Sequence, residues 1–169
     1  IMKRIFYKRT RLLVILIGLN MSAVTHASWS PIIRHFTPKD YRAGTQYWDI
    51  VEQVNGWMYV ANNYGLLETD GCHWNLYGIS NSTAVRATTI DKDGSIYVGG
   101  TDEFGVFYSD SLGGLKYQQL STNIPERYRQ FGEVWRLQID NKKLYVQTRH
   151  YIFVYTKDNI EVLDPGAII

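Results

Sequence analysis

The chain has 169 residues, 45% of them hydrophobic and 20% charged, with 13 Tyr and 5 Trp; this excludes wholesale disorder and collagen-like or proline-rich tracts. One cysteine, Cys72, excludes an intrachain disulfide framework and any multi-cysteine zinc site. The formal net charge of +2 comes from a short N-terminal stretch.

Residues 1–11 carry Lys3, Arg4, Lys8, Arg9 and Arg11 and no acid, and Leu12 to Leu19 forms an apolar run. Thr25 and Ala27 then stand at positions −3 and −1 of a small-residue peptidase site. Together these predict a secretory signal peptide over residues 1–27, cleaved before Ser28. The apolar run falls short of the roughly 20 residues that a span needs, which leaves an uncleaved anchor as the second reading. Ile1 precedes Met2, which reads as the translation start. Without residues 1–27, thirteen basic residues face sixteen acidic ones, and nothing argues for nucleic-acid binding. As the single cysteine of the chain, Cys72 is expected to be buried rather than reactive.

Residues 28–47 form a leading segment. From Trp48 onward a four-part pattern recurs. An apolar segment (Trp48 to Val51, Ala87 to Ile90, Val134 to Ile139) leads through a turn to a Tyr-Val segment (Met58 to Ala61, Ile96 to Gly99, Leu144 to Gln147). A third segment follows (Gly65 to Thr69, Gly105 to Tyr108, Ile152 to Tyr155), and a fourth closes each unit (Trp74 to Tyr77, Lys116 to Leu120, Ile160 to Leu163). Asn55-Gly56, Asp93-Gly94 and Asp140-Asn141 supply the left-handed positions of tight hairpins. Tyr59, Tyr97 and Tyr145 are 38 and 48 residues apart, the longer interval containing what reads as a polar loop, Ser121 to Gly132.

Four short strands in about 40–50 residues is the period of a propeller blade. The prediction is an all-β, incomplete β-propeller after an N-terminal signal helix. Its domain would be residues 48–169, with blades at about 48–78, 85–120 and 133–163. A sandwich or barrel is the alternative, opposed by the triple match in register. Because a ring takes roughly four to eight blades, the chain is expected to be the N-terminal piece of a longer protein.

Phe36 to Ile50 resembles the opening of bacterial periplasmic sensor propellers, and Ala61 to Gly71 and Ile90 to Gly100 are similar to their first two blades. These are two-component-regulator propeller repeats, found in hybrid histidine kinases and membrane-bound LuxR-type regulators. The resemblance implies an exported, inner-membrane-anchored, homodimeric parent. There one or two propellers and a triple-tyrosine β-sandwich would precede a membrane helix and a cytoplasmic kinase or helix-turn-helix module.

No catalytic set emerges. Asp91-Lys92-Asp93-Gly94 fails as a calcium loop, because with Asp93 at position 5 the first and twelfth positions are Thr89 and Gly100. His35, His73 and His150 share no metal-type spacing, and no cofactor is read.

Binding fits better. In a propeller one face is built from the approaches to the inner strands and from the second-to-third-strand loops. The approaches contribute Trp48, Arg86, Trp135 and Arg136, of which the two tryptophans are expected to fill space between blades. The loops contribute Asn62, Asn63 and Tyr64; Asp102, Glu103 and Phe104; and Arg149, His150 and Tyr151. Aromatics beside amides and charges suit a small extracytoplasmic ligand such as an oligosaccharide. The reading is a periplasmic ligand-sensing module without chemistry of its own. The rivals are a secreted propeller that binds or acts on polysaccharide, and a protein-interaction scaffold.

Overall fold

Twelve strands alternate with glycine- and asparagine-bearing turns across the residues that the computed structural model describes, 31–157 and 159–169. The predicted export segment and its cleavage site lie outside the described residues. Residues 31–35 are exposed and without regular structure, and Phe36–Ile169 forms a compact unit.

Blade 1 comprises β1 (Tyr47–Glu52), β2 (Met58–Asn62), β3 (Gly65–Thr69) and β4 (Trp74–Tyr77). Blade 2 comprises β5 (Ala87–Ile90), β6 (Ile96–Gly99), β7 (Phe104–Ser109) and β8 (Leu115–Gln119). Blade 3 comprises β9 (Arg136–Asp140), β10 (Lys143–Gln147), β11 (Ile152–Thr156) and β12 (Asn159–Leu163). Each blade is an antiparallel meander in chain order. The innermost strands lie side by side, β1 against β5 and β5 against β9, so the sheets radiate. Each Tyr-Val strand pairs with its own inner strand. The incomplete propeller expected from the repeat is the fold observed.

The core lies between the blades. Tyr59, Ala61 and Leu66 of blade 1 meet Ile96, Val98 and Phe107 of blade 2, with Ile79 and Val85 from the connecting chain. Phe104 and Ala87 of blade 2 meet Leu137, Leu144, Val146 and Phe153 of blade 3. Each large side chain fully withdrawn from water contributes roughly 1.5–3 kcal/mol. The backbone repeats its seam: Val85 N donates to Asn62 O at 3.0 Å, and Val134 N to Gly100 O at 2.9 Å. A Cβ on Gly99 would stand 2.4 Å from Val134 Cγ1, so this approach admits glycine alone.

Three features depart from expectation. The leading segment contains a helical turn, α1 (Pro38–Tyr41), started by Pro38 and closed by the Asp40 carboxylate, which accepts from Thr37 N at 2.6 Å and Thr37 Oγ1 at 2.8 Å. It presses Tyr41 and Ala43 onto Val60, Leu67 and Trp74 of blade 1. One turn is too short to leave a helical period.

The stretch read as a polar loop folds into two 3-10 turns, Ser121–Asn123 and Glu126–Tyr128, and buries Ile124 and Phe131. Lone apolar residues in polar surroundings carry no periodicity to reveal this. Cys72 is exposed rather than buried. It sits in a turn held by the Asp70 carboxylate, which accepts from Cys72 N at 2.8 Å and His73 N at 2.6 Å and meets His73 Nδ1 at 2.9 Å. The side-chain bond to His73, then the two backbone donors, hold the Asp70 carboxyl well below its ordinary range.

Candidate ligand-binding face

The registers Asp49↔Ala61, Ala87↔Gly99 and Arg136↔Gln147 make Trp48, Arg86 and Trp135 equivalent positions on three successive blades. Trp48 is the second residue of β1, and Arg86 and Trp135 immediately precede β5 and β9. They form a row. The Arg86 guanidinium carbon lies 4.0 Å from the Trp48 ring centroid and 5.7 Å from that of Trp135. Such cation–π contacts contribute roughly 0.5–2 kcal/mol, more as water is excluded.

Arg86 Nη2 forms an ion pair with Glu133. Arg86 Nε is buried and has no hydrogen-bond partner among the described residues, so the indoles are its main surroundings. Glu133 is itself placed by a β-bridge to Thr101, where blade 2's second-to-third-strand loop meets the approach to β9. Trp48 Nε1 donates to Asn63 Oδ1 at 2.8 Å, and Asn63 Nδ2 donates to Gln46 Oε1 at 2.6 Å. The orientation of the first indole is thereby fixed from the loop.

The tryptophans do not fill space between blades as expected: Trp48 is 40% exposed and Trp135 53%. Val85 and Val134 pack in the two seams beside them. Trp48 also borders an aromatic cleft of about 470 Å³ lined by Phe36, Tyr41, Tyr47 and Trp74 among others.

The predicted loop residues divide. Asn63 and Arg86 join the row directly. Tyr64 is 65% exposed on the same turn as Asn63, and Arg136 is exposed at the start of β9. Asp102 is exposed, in left-handed conformation with φ 56, and its Oδ1 accepts from Gly132 N at 2.6 Å. It borders a polar cleft of about 350 Å³ with Gln119, Ser121 and Arg129.

Arg149 and His150 are exposed on the β10–β11 loop. Tyr151 is drawn toward the 121–132 insertion, its ring 5.2 Å from that of Tyr128.

Asn62, Glu103 and Phe104 lie inside instead. Asn62 accepts from Gly44 N and Tyr64 N and donates to Gly44 O and Gln46 O, fastening the leading segment to blade 1. Glu103, 1% exposed, accepts from Ser80 N at 3.0 Å, Asn81 N at 2.9 Å and Tyr117 OH at 2.8 Å. Burial, then this bond and the carboxylate charge, push the Tyr117 hydroxyl far above its ordinary pKa. Phe104 packs with Phe131 and Phe153. A polar residue in a loop reads as ligand-facing, yet these loops must first satisfy their own backbone. Sequence reasoning missed Glu133, whose only signal was its place two residues before Trp135.

No protein-family model and no curated protein matches the chain. Solved structures do. The extracellular domain of a one-component system from B. thetaiotaomicron aligns with TM-score 0.55 at 18% identity, over 70% of this chain and 15% of that one. The extracellular domain of a hybrid two-component system from the same organism aligns with TM-score 0.56 at 16% identity, over 79% of this chain and 17% of that one. The chain shares the fold of these domains. It spans about a sixth of their length. Among the described residues no helix is long and apolar enough to cross a membrane.

Proposed function

We propose that this chain is the ligand-sensing part of an exported bacterial signal-transduction receptor, that it binds a small polar ligand of oligosaccharide type, and that it does no chemistry itself. Residues 1–27 serve as the export signal, residues 28–47 lead in, and residues 48–169 carry the sensor blades. The observation that carries the reading is the row Trp48–Arg86–Trp135, which offers exposed indoles beside an anchored polar network. Flat apolar faces stack on sugar rings while planar polar groups fix hydroxyls. Asn63, Tyr64, Asp102, Arg136, Arg149 and His150 extend that surface, with Tyr151 at its margin.

The shared fold with extracellular domains of one- and two-component systems supports the sensing role and an extracytoplasmic location. In a homodimeric, membrane-anchored parent, the ligand would act by binding one of two states more tightly, since equal affinity shifts nothing.

The test is titration of the full chain with a panel of bacterial and plant oligosaccharides, followed by tryptophan fluorescence and calorimetry. Saturable binding that drops about tenfold or more in Trp135→Ala is expected. Absence of binding across the panel would refute the oligosaccharide reading. Shorter products in the incubated mixture would move the chain to the enzymes.

A further inference from the structure

We infer that Glu133 sets the charge class of the ligand: it neutralises Arg86 within the tryptophan row, so that this face accepts uncharged polar ligands and rejects carboxylated or sulfated ones. The inference rests on the sensing reading above and deepens it. An unpaired arginine between two exposed indoles would be an anion trap, because its planar fork suits carboxylates and sulfates.

Here Glu133 takes one arm of that fork and the rest is shielded from water. One ring covers a face of the guanidinium at 4.0 Å and the second stands at 5.7 Å. Nη2 is held by Glu133, Nε is buried, and the Arg86 side chain is only 20% exposed. An incoming anion would have to displace Glu133 and would meet its like charge, since the Glu133 side chain is 31% exposed at the same spot. Building repulsion against the wrong partner is how specificity is obtained beyond raw attraction.

The backbone at Glu133 is fixed in place. It is bridged to Thr101, and Val134 N, next in the chain, donates to Gly100 O at 2.9 Å. The next inner-strand positions hold Asp49 on β1 and Arg136 on β9. Asp49 Oδ2 accepts from Thr88 N at 3.0 Å and its Oδ1 from Ile50 N at 2.9 Å.

The experiment uses the full chain and the variants Glu133→Gln, Glu133→Asp, Arg86→Gln/Glu133→Gln and, as a charge control on the 3-10 turn, Glu126→Gln. Probes are laminarihexaose, xylohexaose and mannohexaose; trigalacturonate and a heparin hexasaccharide; and inorganic sulfate at constant ionic strength. Tryptophan fluorescence is the readout, with thermal melts to confirm folding.

The unsubstituted chain should ignore sulfate and the acidic oligosaccharides. Glu133→Gln should gain about tenfold or more in affinity for both. Glu133→Asp and Glu126→Gln should not, and adding Arg86→Gln should abolish the gain. The inference is overturned if the unsubstituted chain binds acidic probes as tightly as neutral ones. It is equally overturned if Glu133→Gln leaves sulfate affinity unchanged. Should sulfate binding appear in Glu133→Gln while no oligosaccharide binds any variant, the charge assignment stands and the oligosaccharide reading falls. Neutral oligosaccharide binding that is indifferent to Glu133, with no gain for anions, gives the reverse.

Discussion

Between blades 1 and 2 the connecting chain supplies Ile79 and Val85 to the core, and it is tied down by a buried carboxylate, Glu103, through Ser80 N and Asn81 N. Between blades 2 and 3 the connecting chain supplies Leu120, Ile124, Phe131 and Val134, and its tie is aromatic. Phe131 stands 6.2 Å from Phe104 and 4.9 Å from Phe153, centroid to centroid. Both seams keep the same backbone bond from a buried valine. A short connection has few side chains to bury and anchors itself with hydrogen bonds, whereas a longer one brings its own core. The first seam should therefore respond to loss of a charge and to pH, the second to loss of volume.

The largest effect separating the two seams is expected from Phe131→Ala. This residue is 3% exposed, and its truncation should cost about 3–5 kcal/mol in chemical denaturation. Retention of wild-type stability would mean that the insertion is only draped over blades 2 and 3.

Glu103→Ala comes next. It strips the acceptor from two backbone donors and Tyr117 OH and leaves a buried site empty, and a loss of about 2–3 kcal/mol is expected, with faster hydrogen exchange at Ser80 and Asn81. Unchanged exchange there would break the contrast between a polar and an apolar tie.

Alkali provides a third discriminator, because Tyr59, Tyr77 and Tyr117 all pack in the first seam and all have raised pKa values. Tyr59 is pushed from 10.0 to about 12, by burial first and by the Glu68 charge second. A raised folded pKa means that the neutral phenol is favoured in the fold. Its contribution is complete below pH 10 and is lost as pH climbs toward 12. Tyr59→Phe should flatten that alkaline decline in a melt series, leaving the neutral-pH melting point less changed than the decline itself.

The smallest effect is expected at the surface. The depressed carboxyl of Asp70 stabilises its turn above pH 3.8, the ordinary value, and this is lost as acid takes the pH down through the lower folded value. Asp70→Asn should remove that acid dependence, read as exchange at Cys72 and His73, without altering either seam.

The candidate ligand face repeats the lesson of the seams on a smaller scale. Asn63, Arg86 and Asp102 could be placed on it from their positions in the repeat, yet Asn62 and Glu103, one residue away from two of them, turn inward. Along a loop of three residues, the one that satisfies the buried backbone and the one left for solvent have the same amino-acid character. Only the position of the adjacent chain decides between them. For Trp48 and Trp135, their place at the inner strands argued for burial, yet both indoles are exposed.

Periodic alternation, the recurrent Tyr-Val strand and the left-handed turn residues were enough to specify twelve strands and their grouping, because strand formation and hairpin closure depend on neighbours within a few residues. The cation between two indoles, the carboxylate that balances it, the helical turn on blade 1 and the buried insertion emerged from the tertiary structure alone. The cation, its carboxylate and the insertion depend on groups from different blades meeting across a seam, which no single stretch of chain encodes, and the helical turn, though capped locally by Thr37 and Asp40, is too short to leave a period.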